Sequence, residues 1–138
     1  MFKVYIAAAS TTEEIARVKK WSEIAIRDGL ITPIQTWPEE IAKVGSANPR
    51  DASKEDRLKW GNQDLAEAAA SDLVWFLVPV TNAPGRGGYY ESGYKTALRH
   101  QVVYSGDTKQ SVFCAQGMEF PSDELAYAYI CDLARSKQ

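Results

Sequence analysis

A glutamate in a glycine-rich setting is the strongest chemical signal in this chain. Glu91 follows Pro84-Gly85-Arg86-Gly87-Gly88-Tyr89-Tyr90 and precedes Ser92-Gly93-Tyr94, downstream of the apolar run Leu73-Val74-Trp75-Phe76-Leu77-Val78. A buried strand that runs into a glycine turn and a helix sets backbone amides and one carboxylate at the carboxyl edge of a sheet, where open α/β proteins bind ligands. Gly87 and Gly88 leave room for a ligand to lie against the chain, and Arg86 can clamp an anion through a bidentate contact. Glu91 is expected near the first turn of the helix, at the chemical centre of a nucleotide-type site. The same residues also fit a flexible loop, a solvated arginine and an acid that favours a helix N-terminus.

Two further groups converge on that edge if the strands are parallel. In the helical segment Asp56-Arg57-Leu58-Lys59-Trp60-Gly61-Asn62-Gln63-Asp64-Leu65, spacings of four place Asp56, Trp60 and Asp64 on one face. An aromatic beside acids suits a base or a sugar ring with its hydroxyls; core packing for Trp60 and a solvated position for Asp64 are the plainer alternatives. Asp64 immediately precedes Leu65-Ala66, where burial of a carboxylate demands a partner or a role. The second group is Ala8-Ala9-Ser10-Thr11-Thr12 after the first strand. Its hydroxyls and free amides can hold a phosphate or a sugar hydroxyl, or simply cap the helix.

The elements that must position these residues alternate along the chain. Residues 2–9 read as a buried strand, and Ser10 with Glu13 and Thr11 with Glu14 form overlapping capping boxes that start a helix. Ile15, Val18, Trp21, Ile24 and Ala25 give that helix one apolar face, and Gly29 stops it. Residues 30–36 are expected as the second strand, 44–53 as a mobile connection, 54–71 as a helix and the run from Asp72 as the third strand. A helix over 89–100, strands over 101–104 and 111–115, and a last helix capped at Pro121-Ser122-Asp123-Glu124 complete the set. The prediction is a single-domain, doubly wound α/β fold, Rossmann-like or flavodoxin-like, whose five-stranded parallel sheet carries helices on both faces.

Composition narrows the partners. The 138 residues are 45% hydrophobic and 25% charged, which suits one globular domain. A net charge of -2 argues against gripping duplex nucleic acid, since that requires a basic surface. No run reaches the length of a membrane span, and the amino terminus enters a strand without a secretory pattern, so a cytoplasmic location is expected. Cys114 and Cys131 are isolated, with buried reduced thiols expected. No metal cluster is visible, and the chemistry is expected to need neither metal nor cofactor. His100, at the predicted end of the third helix, receives no catalytic role; Trp21, Trp37 and Trp75 suit the core, with Trp37-Pro38 also able to wall the pocket.

Taken together, Lys3-Val4-Tyr5-Ile6-Ala7, Asn62-Gln63-Asp64-Leu65, Ala70-Ser71-Asp72-Leu73-Val74 and Gly88-Tyr89-Tyr90-Glu91-Ser92-Gly93-Tyr94 resemble the nucleoside 2-deoxyribosyltransferase family, including its branch that hydrolyses nucleoside 5′-monophosphates. The resemblance covers nearly the whole chain. It implies that Glu91, in the Gly-x-x-Glu-x-Gly segment, is the nucleophile that attacks the anomeric carbon. It further implies that Asp64 donates a proton or orients the sugar, that Tyr5 lies beside the nucleophile, and that the protein is a homodimer or larger homo-oligomer.

The implied substrate is a nucleoside or nucleoside 5′-monophosphate, with the base released to water or exchanged. Ala8, Ser10, Thr11, Trp60, Asn82, Arg86, Gly87 and Gly88 are then the candidate substrate contacts. The loop Thr81-Asn82-Ala83-Pro84-Gly85-Arg86 lacks the acid with which deoxyribosyltransferases read the base, leaving Asn82 for that task, and the monophosphate hydrolases' arginine after the first strand must be replaced by Arg86 or Arg17. A cytokinin-activating type of phosphoribohydrolase and a nucleotide-sensing domain without turnover are the competing readings.

Overall fold

A computed structural model describes residues 1–44 and 49–138. Strands β1 (Phe2–Ala7), β2 (Ile31–Pro33), β3 (Leu73–Leu77), β4 (Gln101–Ser105) and β5 (Met118–Phe120) form one parallel sheet in the order β2-β1-β3-β4-β5. Helices α1 (Thr12–Asp28), α2 (Trp37–Val44), α3 (Lys54–Ala70), α4 (Arg86–Ala97) and α5 (Asp123–Ser136) flank it. The fold is therefore a single α/β domain with helices on both faces. The strand order reverses between β1 and β3, which opens a crevice beyond their carboxyl ends.

The alternation of side chains across the sheet sorts the core into two layers. Ile6, Trp75 and Val103 are in register and share a face. There the Trp75 ring meets Trp21 of α1 at 5.4 Å and Tyr127 of α5 at 6.2 Å. Ala7, Phe76 and Tyr104 share the other face, and Phe76 meets Tyr89 of α4 with ring centroids 4.7 Å apart. Tyr5, two residues before Ala7, points the same way and so lies under α4. Every residue of β3 is buried, which explains why Leu73-Val74-Trp75-Phe76-Leu77 reads as an unbroken apolar run and not as an alternating one. Gly88 lets α4 settle on this layer: a Cβ there would stand 1.6 Å from the Phe76 ring.

Several boundaries differ from those expected. The first strand ends at Ala7, and residues 8–11 are the turn into α1. Neither capping box forms: Thr11 is the N-cap without a side-chain cap bond. Glu14 is instead fully buried, accepting from the Val80 amide (2.8 Å) and from Arg17 (3.0 Å). Arg17 also donates to both carboxylate oxygens of Asp123 (2.7 Å each) and to the Val78 carbonyl (2.6 Å). These bonds tie α1 and α5 to the chain leaving β3, so Arg17 does not stand in for a cavity arginine.

The second strand is shorter than residues 30–36, because the Glu39 and Glu40 amides turn back onto the Thr36 carbonyl and open α2. In the predicted connection over 44–53, residues 45–48 lie outside the described residues; a 3-10 turn occupies Pro49–Asp51 and Ser53 caps α3. The expected strand over 111–115 is a 3-10 turn, Val112–Gln116: the Ser111 hydroxyl accepts from the Phe113 amide and Val112 and Phe113 face solvent. The fifth strand falls at Met118–Phe120. Cys114 and Cys131 are buried free thiols. Among the described residues, no helix is long and apolar enough to cross a membrane.

Candidate active site

The crevice between the ends of β1 and β3 holds a cavity of about 520 Å³, a size usual for small-ligand sites. Ala8, Ala9, Ser10 and Thr11 form one wall, and Ala83, Pro84, Gly85, Arg86, Gly87 and Glu91 form another. Trp37, Glu40 and Ile41 enter from α2, and Trp60 and Asp64 from α3. Gly85 makes the sharp entry to α4 with a left-handed φ of 64°. The glycine-rich stretch expected as a loop is thus largely the first turn of α4, with Glu91 one turn further in. The amides of that first turn have no partners within the helix.

Glu91 is 9% exposed at the floor of the cavity, and Tyr5 lies wholly buried beneath it. The Tyr5 hydroxyl donates a short hydrogen bond to Oε2 of Glu91. Oε1 is the oxygen nearest Gly87, where a Cβ would approach to 3.9 Å. Burial pushes the Glu91 carboxyl up to about 7, and Glu67 and Glu40 add to this while the Tyr5 bond opposes it. Burial, reinforced by Glu91 and Asp64, drives the Tyr5 hydroxyl far above the ordinary phenol range, so it stays protonated as a donor.

Asp64 is pushed up to about 8, first by burial and then by Glu40, Glu91 and Glu67. Burial likewise raises the Glu40 carboxyl. Oδ1 of Asp64 and Oε1 of Glu40 are buried without a hydrogen-bond partner. Glu67 has a different duty: its carboxylate holds the Thr36 amide (3.1 Å) and hydroxyl at the start of α2. The Trp37 indole donates to the Ile6 carbonyl (2.9 Å), fixing α2 over the end of β1. Thr11 Oγ1 is a further buried hydroxyl without a partner, at the N-terminus of α1. Arg86 is exposed and forms no ion pair among the described residues.

Of the sequence candidates, Glu91, Asp64, Ala8, Ser10, Thr11, Trp60, Arg86 and Gly87 meet at this cavity, with Tyr5 behind Glu91. Asn82 does not: it is exposed and outside the lining. Gly88 lies against the Phe76 ring and is outside the lining. Asp56 is exposed near the start of α3, away from the cavity. Trp37 walls the cavity, whereas Trp21 and Trp75 are core. Glu40 is the residue that sequence reasoning missed, because it rides on a helix that was not expected. Thr36-Trp37-Pro38-Glu39, a hydroxyl three residues before an acid with proline in the first turn, is the signal that marks that helix.

Burial thus raises both carboxyls, Asp64 further than Glu91, so two acids of unlike proton affinity face one cavity. Comparison of the chain with protein-family models and with curated proteins gives no match.

Proposed function

We propose that the protein cleaves the N-glycosidic bond of a nucleoside or nucleoside 5′-monophosphate, with Glu91 as nucleophile and Asp64 as a proton donor to the departing base. The observation that carries this reading is the burial of Glu91 with one oxygen bound by Tyr5, in the same cavity as a second carboxyl of higher proton affinity. Oε1 of Glu91 attacks C1′ while the C1′–N bond breaks, and its electron pair leaves on the base nitrogen, which takes a proton from the enzyme. Water then attacks C1′, its proton returns to Asp64 and the C1′–Oε1 bond breaks to restore the Glu91 carboxylate; a second base that likewise gives its N–H proton to Asp64 in place of water gives exchange. The resemblance to the nucleoside 2-deoxyribosyltransferase family supports the same roles.

Trp37 and Trp60 suit the faces of a base or sugar. A 5′-phosphate fits the other side, where the α1 N-terminus, the unpartnered Thr11 hydroxyl and Arg86 offer donors. The exposed Tyr90, Tyr94, Val112 and Phe113 are apolar surface that a second copy would cover in a homo-oligomer.

The test is a panel of ribo- and deoxyribonucleosides and their 5′-monophosphates, with and without a second base, followed by chromatography against Glu91→Gln. Base release by the wild type and its loss in the variant is the expected result. Nucleotide binding with no release from any substrate would replace this reading with a sensing domain.

A further inference from the structure

Glu40 has no part in the roles above, yet it is 7% exposed, lines the cavity, and presents a buried Oε1 that no donor reaches. Asp64 Oδ1, on the neighbouring helix, is in the same condition. Two buried acceptors without donors are an expense that folded proteins rarely carry unanswered. No ion pair reaches Glu40, Asp64 or Glu91 among the described residues. One proton held between the two carboxyls satisfies both at once and removes a charge from the cavity.

We propose that Glu40 and Asp64 share a single proton and that this pair, not Asp64 alone, is the acid of the site, with Glu40 as the positioning residue that keeps the proton on Asp64. The proposal rests on the glycosidic reading for its chemical step but not for the shared proton. Asp64 feels Glu40 from α2, Glu91 from α4 and Glu67 on its own helix; Glu40 feels Glu67 from α3 and Lys43 and Glu39 on its own. The other carboxylates raise proton affinity and Lys43 opposes them, while the hydrogen bond between the two carboxyls raises Asp64 and lowers Glu40, drawing the proton towards Asp64.

The three-carboxyl arrangement times the proton. Before reaction, ionised Glu91 and the singly protonated pair carry two negative charges. Attack by Oε1 converts Glu91 to a neutral glycosyl ester, so the field that held the proton on Asp64 disappears as the C1′–N electron pair moves onto the base. The proton passes from the pair to that nitrogen. The pair now carries both negative charges and the base leaves neutral. Water then attacks C1′, its proton returns to the pair, and Glu91 departs as the carboxylate. Total charge is unchanged at each stage; only its location alternates between Glu91 and the pair.

The test follows the Asp64 side-chain carboxyl by carbon-13 NMR across pH in the wild type, Glu40→Gln and Glu91→Gln, with Asp64→Asn to assign the signal. Expected is a wild-type midpoint near 8 that falls by about one unit or more in each variant, because each removes a like charge. Glu40→Asp should restore the high midpoint. In turnover, the alkaline limb of kcat/KM should move to lower pH in Glu40→Gln, which a merely structural role for Glu40 would not cause. An Asp64 midpoint that is the same in wild type and Glu40→Gln overturns the proposal. Should the wild type release no base, the glycosidic reading fails, while the NMR midpoints still decide whether the proton is shared.

Discussion

Tyr5, in the first strand, donates its hydroxyl hydrogen to Oε2 of Glu91, 86 residues later. One bond thereby fixes which carboxylate oxygen is held and which is open. It also stabilises the ionised form of Glu91 against the burial that raises its proton affinity. Tyr5→Phe removes both effects. The acid limb of the rate profile should move up by about half to one pH unit, with kcat/KM reduced about 10- to 100-fold at pH 7. An unmoved acid limb would show that the bond does not tune Glu91.

The proposed mechanism requires Glu91 ionised and Asp64 protonated, so the wild-type profile should be a narrow bell between limbs near 7 and 8. Glu91→Gln should abolish base release, a loss of about a thousandfold or more for a removed nucleophile. The measurement is initial rate against pH in a constant-ionic-strength buffer series; a broad plateau from pH 5 to 9 would contradict the assignment.

Glu91→Gln should also make the protein more stable in mild alkali. Folding raises the Glu91 carboxyl from its ordinary 4.5 to about 7, so the native state binds more protons than the unfolded state between those values. Wild-type stability therefore falls as pH rises through that window and stays lower above it. At pH 8 the variant should gain on the order of 1–3 kcal/mol in urea unfolding, with the gap closing below about pH 4. A variant less stable than wild type at pH 8 would count against buried ionised Glu91.

Two adjacent glycines should separate function from folding. An added methyl at Gly88 meets the Phe76 ring at 1.6 Å, so Gly88→Ala should destabilise by about 1–3 kcal/mol through overpacking. At Gly87 the same methyl meets only Glu91 Oε1, at an ordinary 3.9 Å. Gly87→Ala should melt like wild type yet turn over poorly under the proposed mechanism, since the methyl occupies cavity space beside Oε1 that the substrate would enter. Thermal melts and rates on the same preparations check both.

Thr11→Val and Arg86→Ala should raise KM for monophosphates about tenfold or more while leaving nucleosides little affected, if these donors serve the phosphate. Equal effects on both substrates would place the phosphate elsewhere.

The legibility of this site from sequence depended on how far each residue's role was set locally. Glu91, Asp64 and Thr11 sit at strand ends or at fixed helical spacings, and topology alone carried them to one crevice. Asn82 was misplaced because a loop side chain's direction is not encoded by spacing. Glu40 was lost with α2: Ile31, Thr32, Ile34 and Thr36 favour a strand, and that preference hid the capping sequence within which the chain turns. At the other end, Val112-Phe113-Cys114 has strand-like composition, but the Ser111 hydroxyl closes a local turn first and only Cys114 is drawn inward.

The bonds of Arg17 link the chain leaving β3 to a helix that contributes nothing to the cavity lining. Every residue lining the cavity lies between Ala8 and Glu91, so during synthesis the whole lining emerges well before α5 does. Yet Arg17 braces the exit of β3 with its charge met by Asp123 at the start of α5. Until that last helix docks, a buried guanidinium lacks one of its two carboxylates and the wall that carries Glu91 lacks its brace. A chain that has emerged only as far as Glu91 thus holds every lining residue but not the carboxylate that meets Arg17 at the exit of β3.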